Sequence, residues 1–573
     1  MKQVVIENPV INSPYEEPRQ YYKFTDEGIT DEVVEGRRPS SYFIPIPTPK
    51  KRGKQISFDT LWTQDRVQEN QLINDIRRRV SMWRQGGYSG ITKTTARLLE
   101  YWTNPQRENK LFFCQIEALE TAIYLTEAAR KYGDAWIENK IREGNEASNP
   151  LLYRIAFKMA TGSGKTVVMA MLIAWQALNK IANRQDARFS DTFLIVTPGI
   201  TIKDRLRVLL PNDLENYYRQ RDILPQDLMR ELGQAKIIIT NFHAFKPRER
   251  VQAGKLTKAI LGQGEQSPFT ETPDQMVRRV CRELGNKKNI VVINDEAHHC
   301  YRRKPDGEDE KLTGDERKEA EQREEEARVW ISGLEAVKGK IGIKAIYDLS
   351  ATPFFLRGSG YKEGTLFFWV VSDFSLIDSI ESGIVKVPRV PVADDSMTAE
   401  LPTYRNIWPL IREELPKKGG KTEAVKGEPR LPGKLQGALH SLYDNYARYY
   451  EQWEKNETKT GRLTPPVFIV VCNNTNVSKL VFDYIAGWEK HLKDGSTVAV
   501  PGRLSIFSNV NGGQWLARPN TILIDSRQLE SGEAMSADFK QAAAKEIAEF
   551  KREMRERFPD RDVEKITDED LLR

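Results

Sequence analysis

Long hydrophobic runs are missing from this sequence. The longest, Val167 to Trp175, falls well short of the roughly 20 apolar residues a membrane helix needs. The opening MKQVVIENPVINSPYEEP lacks a basic start followed by an apolar stretch, so no signal peptide is read there and a cytoplasmic protein is expected. Cysteine is scarce: Cys114, Cys281, Cys300 and Cys472 form no C-x-x-C pair. That spacing argues against a structural zinc site and a disulfide framework. A surplus of one charge is also lacking, since 87 basic residues face 81 acidic ones for a net charge of +6. Such a balance permits a phosphate-tracking groove but excludes a protein that coats nucleic acid by bulk charge. No repeat of solenoid period occurs. With 29% charged residues among 573, the chain has the surface and length of roughly three or four domains.

Four regions are expected: an extended arm over 1–60, a helical region over 61–150, a first α/β domain over 151–372 and a second, partial one over 373–573. The arm ends in SYFIPIPTPKKRGKQ, whose alternating prolines forbid helix and central strand. Apolar residues at helical spacing follow in LWTQDRVQENQLINDIRRRVSMW, TTARLLEYW and FFCQIEALETAIYLTEAARKY. From Arg154, short apolar strands alternate with helices: RIAFKM, DTFLIVTP, AKIIITN, NIVVINDEA and KAIYDLSATP. Strands apolar at consecutive positions indicate a parallel sheet covered on both faces. A polar insertion over 248–288 and a charge run over 302–328 interrupt the pattern; the run reads as an exposed loop leading into a solvated helix. Beyond Asp373 a polar loop, PKKGGKTEAVKGEPRLPGK, precedes a long helix, LQGALHSLYDNYARYYEQWEK, and two strands are expected in PPVFIVVCNNT and NTILIDS.

The chemistry is concentrated in three places. MATGSGKT, Met159 to Thr166, stands between a strand and the helix VVMAMLIAWQAL. Its glycines let main-chain N–H groups converge on phosphate oxygens. Thr161, Gly162, Ser163 and Gly164 form the cradle, Lys165 meets the β- and γ-phosphates, and Thr166 offers a hydroxyl to Mg²⁺. Met159 stands where the strict motif has glycine, and the strand–loop–helix context carries the assignment. About 130 residues later, NIVVINDEAHHCY delivers Asp295 and Glu296 to a strand end, where open α/β sheets bind ligands. Asp295 is expected to hold Mg²⁺ and Glu296 to activate the attacking water. His298 is expected to relay between the nucleotide site and the second domain. On a strand, His298 and His299 would face opposite sides, and no third ligand sits at metal spacing. LSATPFF then supplies Ser350, Ala351 and Thr352 after another strand.

In this order the motifs resemble a superfamily 2 DEAH-type helicase, and most closely the restriction (Res) subunit of type III restriction endonucleases. The resemblance runs from about residue 110 to the C-terminus. It implies an α/β fold: a P-loop NTPase RecA-like parallel-sheet domain, a second and incomplete RecA-like domain, and a helical N-terminal region. It implies that Gln115 in FFCQIEALE reads the adenine edge. Thr197 and Pro198 in TPGITIKDRL, and Thr240 and Asn241 in ITNFHAF, would contact the nucleic-acid backbone. Ser350, Ala351 and Thr352 would couple nucleotide state to domain movement. FIVVCNNTNVSKLV and ILIDSRQLESGE resemble later elements of such subunits.

The family also implies an E-G-W-D-type stretch, a Q-x-x-G-R-G-x-R stretch and a C-terminal nuclease, none of which this sequence contains. DRDVEK near the end lacks the strand pair a nuclease motif needs. The expected function is an ATP-dependent DNA helicase or translocase motor of a type III-like restriction or phage-defence system, using ATP and Mg²⁺. DNA, a modification (methylase) subunit and a separately encoded C-terminal half are the partners implied. Two alternatives stay open: a stand-alone RNA helicase or remodelling ATPase, and a hydrolysis-deficient ATP- and DNA-binding fragment.

Overall fold

The computed structural model of the chain describes residues 6, 8–25, 28–43, 67–199, 202, 205–248, 270–304, 314–356, 358–387, 407–416, 428–460, 465–492 and 496–524. The chain divides into two units, Met1–Val387 and Pro388–Arg573.

The first unit begins with an antiparallel hairpin, β1 (Gln20–Thr25) and β2 (Gly28–Glu35), and a short ribbon of β3 (Ser41–Phe43) with β4 (Val67–Glu69). The arm is therefore partly paired, while its proline run, Pro45 to Pro49, lies outside the described residues. Helices α1 (Gln71–Gln85), α2 (Lys93–Thr103), α3 (Phe113–Ile123) and α4 (Ala135–Ser148) follow. In α1 the residues Ile73, Ile76, Val80 and Trp83 are buried, the three-and-four spacing that puts side chains on one helix face. Thr92 caps α2 by accepting the Thr95 N–H, which satisfies one of the orphan donors of the first turn.

The five strands expected from sequence form as β5 (Arg154–Met159), β6 (Thr192–Thr197), β7 (Lys236–Asn241), β8 (Ile290–Asp295) and β9 (Ile343–Ser350). A sixth, β10 (Val370–Phe374), completes an all-parallel sheet in the order β10-β5-β9-β8-β6-β7. Helix α5 (Lys165–Ala182) lies on one face, and the charged helix α6 (Gly314–Lys340) joins the opposite one. Alternation along β8 sorts its side chains. Val291 and Ile293 enter the core that contains α1–α5, whereas Ile290 and Val292 enter the core built on Trp330, Ile331 and Leu334 of α6. Both faces are covered, which is why the strands read as continuous apolar runs.

The first unit extends to Val387 and includes β10. Ser372 and Asp373 of β10 are both buried. Asp373 accepts from Lys158 Nζ at 2.7 Å and from Ser40 Oγ at 2.6 Å. Helix α7 (Leu376–Glu381) also returns to the arm, since Glu381 Oε1 accepts the Tyr22 N–H.

In the second unit, helices α8 (Gly433–Thr460) and α9 (Thr475–Ala486) pack with two antiparallel ribbons, β11 (Gly487–His491) with β12 (Thr497–Pro501) and β13 (Val510–Asn511) with β14 (Gln514–Trp515). Its described residues hold no parallel sheet. The strands expected in PPVFIVVCNNT and NTILIDS are unpaired over 465–474 and 520–524. Phe468 packs on Tyr446 and Phe507, while Val467, Ile469 and Val471 are 72%, 76% and 91% exposed. Among the described residues no strand pairs with these apolar runs. Most of the polar loop before α8, the SRQLESGE stretch and DRDVEK lie outside the described residues, as do 249–269 of the insertion and 305–313 of the charge run. Among the described residues no helix is long and apolar enough to cross a membrane.

Candidate nucleotide-binding site

The loop between β5 and α5 turns on two glycines in the left-handed region, Gly162 (φ +88°) and Gly164 (φ +87°), where a residue with a Cβ is strained. Gly164 has a second constraint, because an added Cβ would lie 2.2 Å from Gln115 Nε2. Ser163 is fully buried and folds its hydroxyl back to the Ala160 carbonyl at 2.7 Å. Lys165 and Thr166 begin α5, so free N–H groups and the positive end of the helix dipole face the loop. Gly164→Ala is expected to lower triphosphate affinity at least tenfold, from positive φ and the Gln115 clash together. Calorimetric titration with the nucleotide checks it, and unchanged affinity would show that this loop does not shape the phosphate site.

Gln115 does more here than the sequence reading gave it. It is 4% exposed, accepts the Phe112 N–H at 3.0 Å and donates to the Ser163 carbonyl at 3.0 Å. Its amide thus braces the phosphate loop. Helix α3 is itself fixed by charges that were not foreseen. Arg37 of the arm forms a bidentate pair with buried Glu117, and Arg84 pairs with buried Glu120 at 2.6 Å. The signal was present in FFCQIEALE: two carboxylates on a helix buried all round require cations.

Asp295 ends β8 at 2% exposure. Burial, and then the neighbouring Glu296 carboxylate, pushes its pKa up to about 6. Glu296 has φ +47°, a left-handed backbone that costs energy for a residue with a Cβ and is typical of functional sites. The turn brings Glu296 Oε1 to 3.2 Å from Lys165 Nζ. The Asp295 carboxylate and the Thr166 hydroxyl offer hard oxygen atoms, the donor type Mg²⁺ takes together with substrate phosphates. No cluster of three or more metal-ligating side chains occurs among the described residues.

The histidines lie on a 3₁₀ turn, Ala297–His299, rather than on a strand. Their rings therefore sit side by side, with centroids 4.2 Å apart, and do not face opposite sides. His298 Nδ1 is 2.9 Å from Ser350 Oγ and 3.6 Å from Glu296 Oε2. Burial, reinforced by His299, lowers its pKa to about 4, so the ring is neutral at pH 7 and can hydrogen-bond without carrying charge. Ser350 Oγ also accepts the Thr352 N–H at 3.1 Å, and Ala351 is partly buried beside it. Lys165, Glu296, His298 and Ser350 thus form one line from the phosphate loop to the segment after β9.

The four residues expected to touch nucleic acid stand at neighbouring strand ends, because β6 and β7 pair in register with Thr197 opposite Asn241. Thr197 is fully buried and donates to the Gly199 carbonyl at 2.8 Å, so its side chain fixes the turn. Pro198 and Thr240 are partly exposed. Asn241 caps the short turn Phe242–Phe245 by accepting the Ala244 N–H.

Beneath the site lies a polar network that spacing did not reveal. Arg154, fully buried, donates to Asp348 Oδ2 at 2.8 Å and to the Cys300 carbonyl at 2.8 Å. Asp348 also accepts from Asn294 Nδ2 and Trp369 Nε1, each at 2.8 Å. Trp330 of α6 donates to Asn294 Oδ1 at 3.2 Å and stacks on Phe242 with centroids 5.6 Å apart. Burial works against the charge on Arg154, but the Asp348 carboxylate outweighs it and raises the pKa.

Fold and loop define a RecA-like P-loop domain. Residues 108–355 match the family described as type III restriction enzyme, res subunit. That stretch of the chain is thus similar to the helicase-like domain of type III restriction enzymes. No curated protein matches the chain.

Proposed function

We propose that this chain is the motor part of an ATP-dependent DNA translocase in a type III-like restriction or defence system. The observation that carries the reading is the line Lys165–Glu296–His298–Ser350, which joins the phosphate loop to the segment after β9 through contacts of 3.2, 3.6 and 2.9 Å. In this proposal Gly162, Gly164 and the α5 N-terminus hold the triphosphate, and Lys165 sets its ammonium on the β- and γ-phosphates. Asp295 and Thr166 would hold Mg²⁺, which supplies charge neutralisation when bound. Glu296 takes the proton of the attacking water, and the neutral His298 passes the rearrangement of Glu296 to Ser350. Thr161 and Ser163 complete the loop, and Gln115 connects its rigidity to the base side. DNA would run along the strand ends carrying Pro198, Thr240 and Asn241, and a modification subunit would supply base specificity.

Lys165→Ala is expected to weaken MgATP binding by one to two orders of magnitude while leaving adenosine binding unchanged, because charge-assisted contacts to phosphate are the strong ones. Calorimetry with both ligands checks this, and equal ATP affinity would remove the assignment. DNA binding is expected to vary little with sequence and steeply with salt, with a log–log slope of about −0.9 per duplex phosphate contacted. A flat salt response measured by fluorescence anisotropy would contradict a phosphate-gripping groove.

A further inference from the structure

The sheet's other end carries a cleft. At the N-terminal edges of β6, β8 and β9 a cleft of about 730 Å³ opens, lined by Lys180, Arg184, Lys287, Lys288 and Lys344 with Asp191 as its one acidic residue. A ratio of five cations to one anion is far from the near balance of the whole chain, 87 to 81. Asp191 is already engaged, since Lys287 Nζ pairs with it at 2.5 Å. Lys180 Nζ donates to the Asp186 carbonyl at 3.0 Å, and the Asp186 carboxylate is occupied by Arg188. Among the described residues Arg184, Lys288 and Lys344 have no hydrogen-bond or ion-pair partner. Three cations without an ion-pair partner thus surround one concavity, and its inner wall is the buried pair Phe189 and Ser190.

The position separates this cleft from the nucleotide loop. β6 and β8 are six residues each, so at about 3.3 Å per residue the two ends of the sheet lie roughly 20 Å apart. We propose that this cleft is a second anion site that takes a phosphate-bearing ligand. Four of its five cations are lysines, compact charges that follow phosphate groups without the planar fork needed to select a carboxylate geometry. Its volume lies within the range of small-molecule sites. The phosphates come either from a free oligophosphate such as a nucleotide tail or from the backbone of a nucleic-acid strand leaving the motor.

The test compares the chain carrying Lys165→Ala, which is expected to weaken the first phosphate site, with the same chain also carrying Arg184→Ala, Lys288→Ala and Lys344→Ala. Each is titrated with inorganic tripolyphosphate by calorimetry and with a single-stranded oligonucleotide across a salt series. The three added changes are at exposed positions, and a matching thermal midpoint confirms an intact fold. We expect tripolyphosphate affinity to fall at least tenfold. Loss of tripolyphosphate alone assigns the site to free oligophosphates. A salt slope reduced by about two, at roughly 0.7 per single-strand phosphate contact, assigns it to the strand backbone. Equal binding of both probes by the two chains, or binding of neither by the parent, overturns the proposal. MgATP affinity measured with Lys165 present should not respond to the three substitutions, so failure here is distinguishable from failure of the nucleotide assignment.

Discussion

Glu296→Gln is expected to lower the rate of ATP hydrolysis by about 10²–10⁴-fold, or roughly 3–5 kcal/mol of transition-state stabilisation, with nucleotide affinity nearly unchanged. The amide keeps the size of the side chain but cannot accept the proton of the attacking water. The backbone supports the assignment, because a φ of +47° at Glu296 spends conformational energy on aiming this side chain back at the loop. Its carboxylate lies at 3.2 Å from Lys165 Nζ, so the variant also loses that ion pair, and the control is ATP binding measured separately. Phosphate release at saturating MgATP and DNA decides the matter. Turnover within threefold of the parent, in a preparation where Lys165→Ala is inactive, would show that another group is the base.

The second large effect is expected where no substrate touches. Asp348→Ala leaves the Arg154 guanidinium buried without a counter-ion and removes the acceptor of three hydrogen bonds, from Arg154, Asn294 and Trp369. Breaking a buried pair by removing one partner costs about 3–5 kcal/mol, a large share of the 5–15 kcal/mol that folded domains typically have. The urea midpoint should fall accordingly. The double variant Arg154→Met, Asp348→Leu should recover much of the loss, because an apolar pair carries no desolvation penalty. If single and double variants lose the same stability, the charge pair is not what the network contributes. Asn294 adjoins Asp295 and Asp348 lies two residues before Ser350. The network therefore sets the register of the two strand ends at the candidate site.

The first domain was legible because its determinants are local. Continuous apolar runs in β5, β6 and β8 become strands buried along their whole length, and the glycine-rich loop with Lys165 and Thr166 carries its own backbone geometry. Asp295 and Glu296 could be placed at a strand end from the run before them. What remained hidden depends on partners distant in sequence. β10 joined the first sheet because Asp373 finds Lys158 and Ser40, 215 and 333 residues away. Gln115 became a brace through the Ser163 carbonyl, and His298 and His299 came together through a 3₁₀ turn that a strand reading could not supply.

The second unit shows the opposite case. The runs around Ile469 and Ile522 satisfy every local criterion for strands, yet both isoleucines are exposed, at 76% and 59%. A strand is completed by the backbone of its neighbours, and composition cannot supply that neighbour. The amino-acid sequence by itself determined the parallel α/β domain, the phosphate loop and the acidic pair at the end of β8, because short-range patterning and backbone geometry are enough for each. Tertiary structure alone decided the Arg154–Asp348 network, the bracing of the loop by α3 and the arm, and the cationic cleft at the far edge of the sheet. Each of those depends on charges brought together by the fold and on how much water the fold excludes around them.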